Sequence, residues 1–167
     1  MAESERRVCG GCTACCKTHG IFTLVPQKMP GKWCPHCEIG KRCRIYGQHP
    51  RECRDFACSW LLNIGAGGPD YRPDKTRIVP EHKILPRIGL SLWLFEVSNG
   101  ALDLKFVRKW TLNNLRKGNC VMHLPLRAGP KLYLPQRIQD QEFNFVIEPQ
   151  MQTVEVIWFP ESELAFA

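Results

Sequence analysis

Residues 90–97, Leu-Ser-Leu-Trp-Leu-Phe-Glu-Val, are the most apolar run in the chain, and they predict a strand closed by the turn signal Ser98-Asn99-Gly100. A helix is expected next. Leu102, Phe106 and Trp110 recur every four residues, Asp103 stands near the front, and Arg116, Lys117 and Gly118 mark the end. Acid at the amino end and bases at the carboxyl end suit the helix dipole. Shorter strands are expected over Thr76–Val79, Cys120–Leu124, Lys131–Leu134, Phe143–Ile147 and Thr153–Phe159. The last two alternate with period two, through Phe143, Phe145, Ile147 and then Val154, Val156, Trp158.

The first sixty residues lack that periodicity. Pro26, Pro30, Pro35 and several glycines predict loops, with one helical segment over Pro50–Leu62 that Pro50 would open. On a regular helix Cys53 and Cys58 would lie far apart around the axis. They share a site only if the helix breaks between them, and otherwise serve different sites. Asn63-Ile-Gly-Ala-Gly-Gly-Pro-Asp70 reads as a connector. The expected fold class is therefore α+β: a loop-rich cysteine-cluster metal module over residues 1–64, followed by an α+β segment over 65–167. That segment would hold a small antiparallel or mixed sheet and one main helix, packed against the module as one compact unit. No internal repeat is visible.

Composition refines this picture. The chain has 167 residues, 44% hydrophobic and 23% charged, enough to bury a core without help from disulfides or a metal. The longest apolar stretch, Leu90–Val97, is interrupted by Ser91 and Glu96, whereas spanning a bilayer takes roughly 20 apolar residues. The charged start, Met1 to Arg7, has no apolar core of a secretory signal, so a cytoplasmic, reducing location without membrane association is expected. The net charge of +7 is uneven: residues 1–60 carry ten Lys/Arg against five Asp/Glu. Such a module could attract phosphates or an acidic protein partner. Ionised thiolates would cancel most of that excess, so charge alone is a weak argument for nucleic-acid binding.

Nine of the ten cysteines lie between Cys9 and Cys58, in the order Cys9-x2-Cys12-x2-Cys15-Cys16, Cys34-x2-Cys37, Cys43, Cys53, Cys58. A C-x2-C step lets two thiolates converge on one ion while the backbone N–H groups between them reach the sulfurs. In a reducing compartment such spacing points to metal or redox chemistry rather than disulfides. Tetrahedral zinc–thiolate sites are one reading: nine cysteines fill two four-ligand sites with one left over. The adjacent pair Cys15-Cys16 favours more than one site or a bridged one, since neighbours in an extended segment point opposite ways. An iron–sulfur cube is the other reading. Cys9, Cys12 and Cys15 resemble the three-cysteine run of bacterial ferredoxins, with Cys43, Cys53 or Cys58 as the remote fourth ligand. Nine metal-free buried thiols would be poor core material in so loop-rich a stretch.

The run Cys9-Gly-Gly-Cys-Thr-Ala-Cys-Cys16, with Trp33-Cys34-Pro35, Cys43-Arg-Ile-Tyr46 and Pro50-Arg-Glu-Cys-Arg-Asp-Phe-Ala-Cys58, resembles the YkgJ-like C-x2-C-x2-C-C cysteine-cluster proteins. That family is named for presumed zinc or iron chelation. The likeness covers about a third of the chain, over residues 9–60. It implies eight ligands: Cys9, Cys12, Cys15, Cys16, Cys34, Cys43, Cys53 and Cys58. Cys37 stands outside that set, and Cys37, His36 and His19 are additional candidates, since imidazole also suits zinc and iron. Flagellin lysine methylases carry a similar cluster in longer chains, with an iron–sulfur centre implicated in methyl transfer.

No phosphate loop, nucleophile elbow or His-Glu-x-x-His run occurs. His49 is a candidate on the same footing as His36 and His19, while His82, His123 and Cys120 read as structural. The expected function is zinc or iron binding in an accessory, structural or regulatory role. One alternative is an iron–sulfur protein, such as one holding a [4Fe-4S] cluster, with redox or methyl-transfer activity. A zinc-ribbon-like nucleic-acid binder is a second, disfavoured by the sparse aromatics among the N-terminal bases.

Overall fold

The computed structural model describes residues 7–65, 67–85, 89–135, 154–160 and 162. It is α+β, and the chain divides into two compact units, Met1–Pro80 and Glu81–Ala167. The dividing line falls after Pro80 because the segment following the cysteines is tied back into the first unit. The Arg7 guanidinium donates to the Trp60 carbonyl at 2.8 Å and the Gly67 carbonyl at 2.6 Å, and Trp60 Nε1 donates to the Gly68 carbonyl at 3.1 Å. Ser59 N–H reaches the Pro80 carbonyl at 2.8 Å. The glycine-rich connector is thus an anchored turn. Gly67 has φ of +69°, and a Cβ there would meet the Tyr71 ring at 2.5 Å, so glycine is required on both counts.

The first unit consists of loops and short elements: α1 (Cys15–Thr18), the antiparallel pair β1 (Cys37–Glu38) and β2 (Arg42–Cys43), α2 (Arg51–Asp55) and α3 (Pro73–Thr76). Where a strand was expected from Thr76, the chain instead winds one helical turn over Pro73–Thr76. Arg77 then takes a left-handed conformation, φ +61°, before β3 begins. Proline at the first helical position favours that turn.

A five-stranded sheet runs in the order β3 (Ile78–Leu85), β4 (Gly89–Glu96), β5 (Cys120–Leu124), β6 (Lys131–Pro135), β7 (Glu155–Phe159). It is mixed: β4 pairs parallel with β5, β5 antiparallel with β6, and β6 parallel with β7. The parallel step from β4 to β5 is made by the main helix, α4 (Lys105–Arg116). Val107, Trp110, Thr111, Asn114 and Leu115 are its buried stripe, at the spacing of an amphipathic helix. The helix starts after Leu104, later than the sequence pattern suggests. Leu102 and Asp103 sit in a 3-10 turn that Gly100 opens at φ +79°.

On the α4 side of the sheet, Thr111 Oγ1 and His123 Nε2 lie 2.9 Å apart, and His123 is the register partner of Leu94. On the other side Trp93, Cys120, Met122, Leu132 and Leu134 form one buried cluster. Burial on both faces explains why Leu92, Trp93 and Leu94 read as a continuous apolar run rather than an alternating one. The strand expected over Phe143–Ile147 lies outside the described residues. Among the described residues no helix is long and apolar enough to cross a membrane.

Candidate metal centre

Each cysteine of the N-terminal series is held by a short backbone device. Cys12 N–H closes the first C-x2-C turn on the Cys9 carbonyl at 2.9 Å, with Gly10 at φ +52° in between. Gly11 packs so closely that a Cβ would lie 3.1 Å from the Gly40 carbonyl. Thr13 opens the turn of α1, its carbonyl accepting from Cys16 N–H at 3.0 Å while its hydroxyl accepts Gly40 N–H at 2.9 Å. Cys34 N–H donates to the Cys16 carbonyl at 3.0 Å, docking the second cysteine block on α1. Cys37 N–H then closes the second C-x2-C turn on the Cys34 carbonyl at 3.0 Å.

Two sequence expectations are corrected here. Cys15 and Cys16 are not in an extended segment. They open α1, so the alternating side-chain directions of an extended segment do not apply to them. The helix expected over Pro50–Leu62 runs only from Arg51 to Asp55, since Phe56 is extended at φ −85°, ψ 127°. The break separates Cys53 from Cys58.

As a result the nine thiols fall into two neighbourhoods that meet where Cys9 feels Cys16. In one, Cys9, Cys12 and Cys58 lie within electrostatic reach of each other, with Arg72 and Asp74 beside them. The backbone N–H groups of Ala14 and Asp74 lower Cys12, and those of Trp60 and Leu61 lower Cys58, against the effect of burial. In the other, Cys15, Cys16, Cys34, Cys37, Cys43 and Cys53 act electrostatically on one another and on Lys28. Cys37, which stands outside the eight cysteines of the resemblance, is the cross-strand partner of Cys43. Directly opposed residues on paired strands have Cβ atoms about 4.5–5.5 Å apart.

Burial and neighbouring thiols favour the protonated form of Cys9, Cys12, Cys16, Cys37, Cys53 and Cys58. Burial, then the nearby thiols Cys12 and Cys16, push Cys9 up, with Arg72 opposing them. Burial also raises Cys12 and Cys58, and it is the leading cause that takes Cys37 and Cys53 to about 11. Cys16 is raised most, first by its bond to the Cys15 thiol and then by burial. A bound dication reverses this balance by stabilising the thiolates directly.

Three charged residues that spacing could not reveal complete the site. Lys28, 4% exposed, is bridged to Ile21, and its ammonium donates to the carbonyls of Lys17, at 3.0 Å, and His19. Arg72 Nε and Nη2 each lie 2.6 Å from the Asp74 carboxylate, a forked pair. The histidines play lesser parts. His19 Nδ1 lies 2.8 Å from Thr18 Oγ1 and its ring packs on Phe56, with centroids 4.1 Å apart. His49 Nδ1 accepts Gly47 N–H at 3.0 Å. His36 contributes its carbonyl, which accepts Arg44 N–H at 2.9 Å.

Among the described residues no three Cys, His, Asp or Glu side chains already converge as a closed ligand set. The donor chemistry nevertheless fits a thiophilic transition metal, because both neighbourhoods are rich in sulfur and a cation stands beside each. Comparison with family models, curated proteins and solved structures gives no match.

Proposed function

We propose that the first unit is a transition-metal centre, for zinc or iron, whose ligands are the thiolates of Cys9, Cys12, Cys15, Cys16, Cys34, Cys43, Cys53 and Cys58. Cys37 joins them through its pairing with Cys43. The observation that carries this reading is that nine cysteines in four sequence blocks are tied together through the backbone, Cys34 N–H on the Cys16 carbonyl at 3.0 Å and Cys37 paired with Cys43 across β1 and β2. Backbone N–H groups near Cys12 and Cys58, which lower those two thiols against the effect of burial, support it. A bound metal would displace the thiol protons and be held by these cysteines as thiolates. The role is accessory, structural or regulatory, in a reducing cytoplasm, and the cluster resembles that of the YkgJ-like proteins.

Differential alkylation tests the assignment. Reduced protein is treated with iodoacetamide with and without added zinc, and the labelled sites are read by mass spectrometry. Zinc should protect the cysteines of residues 9–58 and leave labelling of the buried Cys120 unchanged. Equal labelling of the N-terminal cysteines in both samples would refute the assignment.

A further inference from the structure

Lys28 is a buried ammonium whose described contacts contain no carboxylate. Its bonds run to two backbone carbonyls, those of Lys17 and His19, which leaves one of the three donors of an ammonium. Around it stand Cys15, Cys16, Cys34 and Cys53. Arg72 in the neighbouring group differs, because Asp74 meets its charge head-on. A buried cation is costly unless an anion is close, and the anions available to Lys28 are thiolates.

Accepting the metal-binding reading, we propose that Lys28, whose ammonium sits on the carbonyls of Lys17 and His19 at the end of α1, is the built-in counter-cation of the thiolate–metal centre in the neighbourhood of Cys15, Cys16, Cys34, Cys37, Cys43 and Cys53, and that its charge tunes the affinity of that centre. Charge balance gives the reason. Four thiols binding one divalent ion release four protons and leave a complex of net charge −2. An ammonium beside it brings the buried total to −1. The same charge favours all-thiolate ligation over sets containing neutral imidazole, which carry less negative charge for Lys28 to offset. Lys28 is therefore a positioning and charge-setting residue, not a ligand.

The test uses the full-length, reduced, metal-free chain titrated with zinc(II) without oxygen, in competition with a chromophoric chelator. Wild type, Lys28→Arg and Lys28→Met are compared, with thermal unfolding of each measured with and without zinc. Loss of the charge should weaken zinc binding by on the order of tenfold and shrink the zinc-induced rise in Tm, while Lys28→Arg stays near wild type. A merely structural lysine would lower Tm equally with and without zinc and leave affinity intact, and that result overturns the proposal. Lys28→Gln, which keeps a donor for the two carbonyls, replaces Lys28→Met should the latter not fold. Wild type that takes up no zinc or iron would sink the metal-binding reading itself. Normal uptake in a folded, charge-free variant at wild-type affinity would sink only the role of Lys28.

Discussion

At 8% exposure, His123 is enclosed between Thr111 Oγ1, 2.9 Å from its Nε2, and the Tyr133 ring, with centroids 4.5 Å apart. Burial, aided by the Lys131 charge, pushes it down to about 4. The unfolded chain therefore takes up this proton before the folded one does. Stability is fully present above about pH 6.5 and is lost as pH falls through 4, by on the order of 3 kcal/mol in all. In urea unfolding, His123→Gln should flatten the stability curve between pH 6.5 and 4. An unchanged slope would mean the ring titrates normally. Glu96, 5% exposed, makes a second residue-scale prediction. Its carboxylate accepts Ala101 N–H at 3.0 Å and Leu126 N–H at 2.9 Å, so Glu96→Ala strands two donors and should cost about 2–4 kcal/mol by the same assay. The sequence marked His123 only as structural and Glu96 only as an interruption of an apolar run, and Lys28, Arg72 and Asp74 did not stand out. The partners of His123, Glu96 and Lys28 are distant in the chain or are backbone groups, and spacing encodes neither.

The carboxyl end of α4 shows how far local pattern reaches at the scale of elements. Gly118 N–H donates to the Leu115 carbonyl at 2.9 Å and Asn119 N–H to the Asn114 carbonyl at 3.0 Å, with Gly118 at φ +81°. That is a Schellman stop, and Arg116-Lys117-Gly118 announces it in sequence. Gly118→Ala should lower stability by about 1 kcal/mol, measured as a drop in Tm, because a Cβ is strained in that conformation. The strand at Cys120–Leu124 has the bounds expected for it, and β4 is displaced by one position. The front of α4 and the start of β3 were less legible. Asp103 and Pro73 were drawn into short turns whose hydrogen bonds are local but whose side-chain pattern is not distinctive. The parallel pairing of β4 with β5 was also hidden, since periodicity marks a strand without naming its neighbour.

For the whole molecule, the division after Pro80 separates two kinds of stability. The sheet unit has its own apolar cluster around Trp93, Met122 and Leu134. The cysteine unit has short helices and a two-residue strand pair, and of its clustered thiols Cys34 and Cys58 are buried. Removing metal should therefore open residues 9–60 to protease while the Glu81–Ala167 unit keeps its amide-exchange protection. Protease resistance over residues 9–60 that is unaffected by chelation would show that the unit folds without metal. The cysteine spacing marked this unit as a candidate metal module. It could not divide the thiols into groups, because that depends on the break at Phe56 and the pairing of Cys37 with Cys43.

The most direct test of the metal centre is elemental analysis with acid-labile sulfide determination on protein purified without oxygen. The account predicts zinc or iron bound in stoichiometric amount. Zinc without sulfide identifies a plain thiolate centre, and iron with sulfide identifies a cluster. Protein that is folded, fully reduced and free of both metals, and that stays so after anaerobic exposure to each, would contradict it.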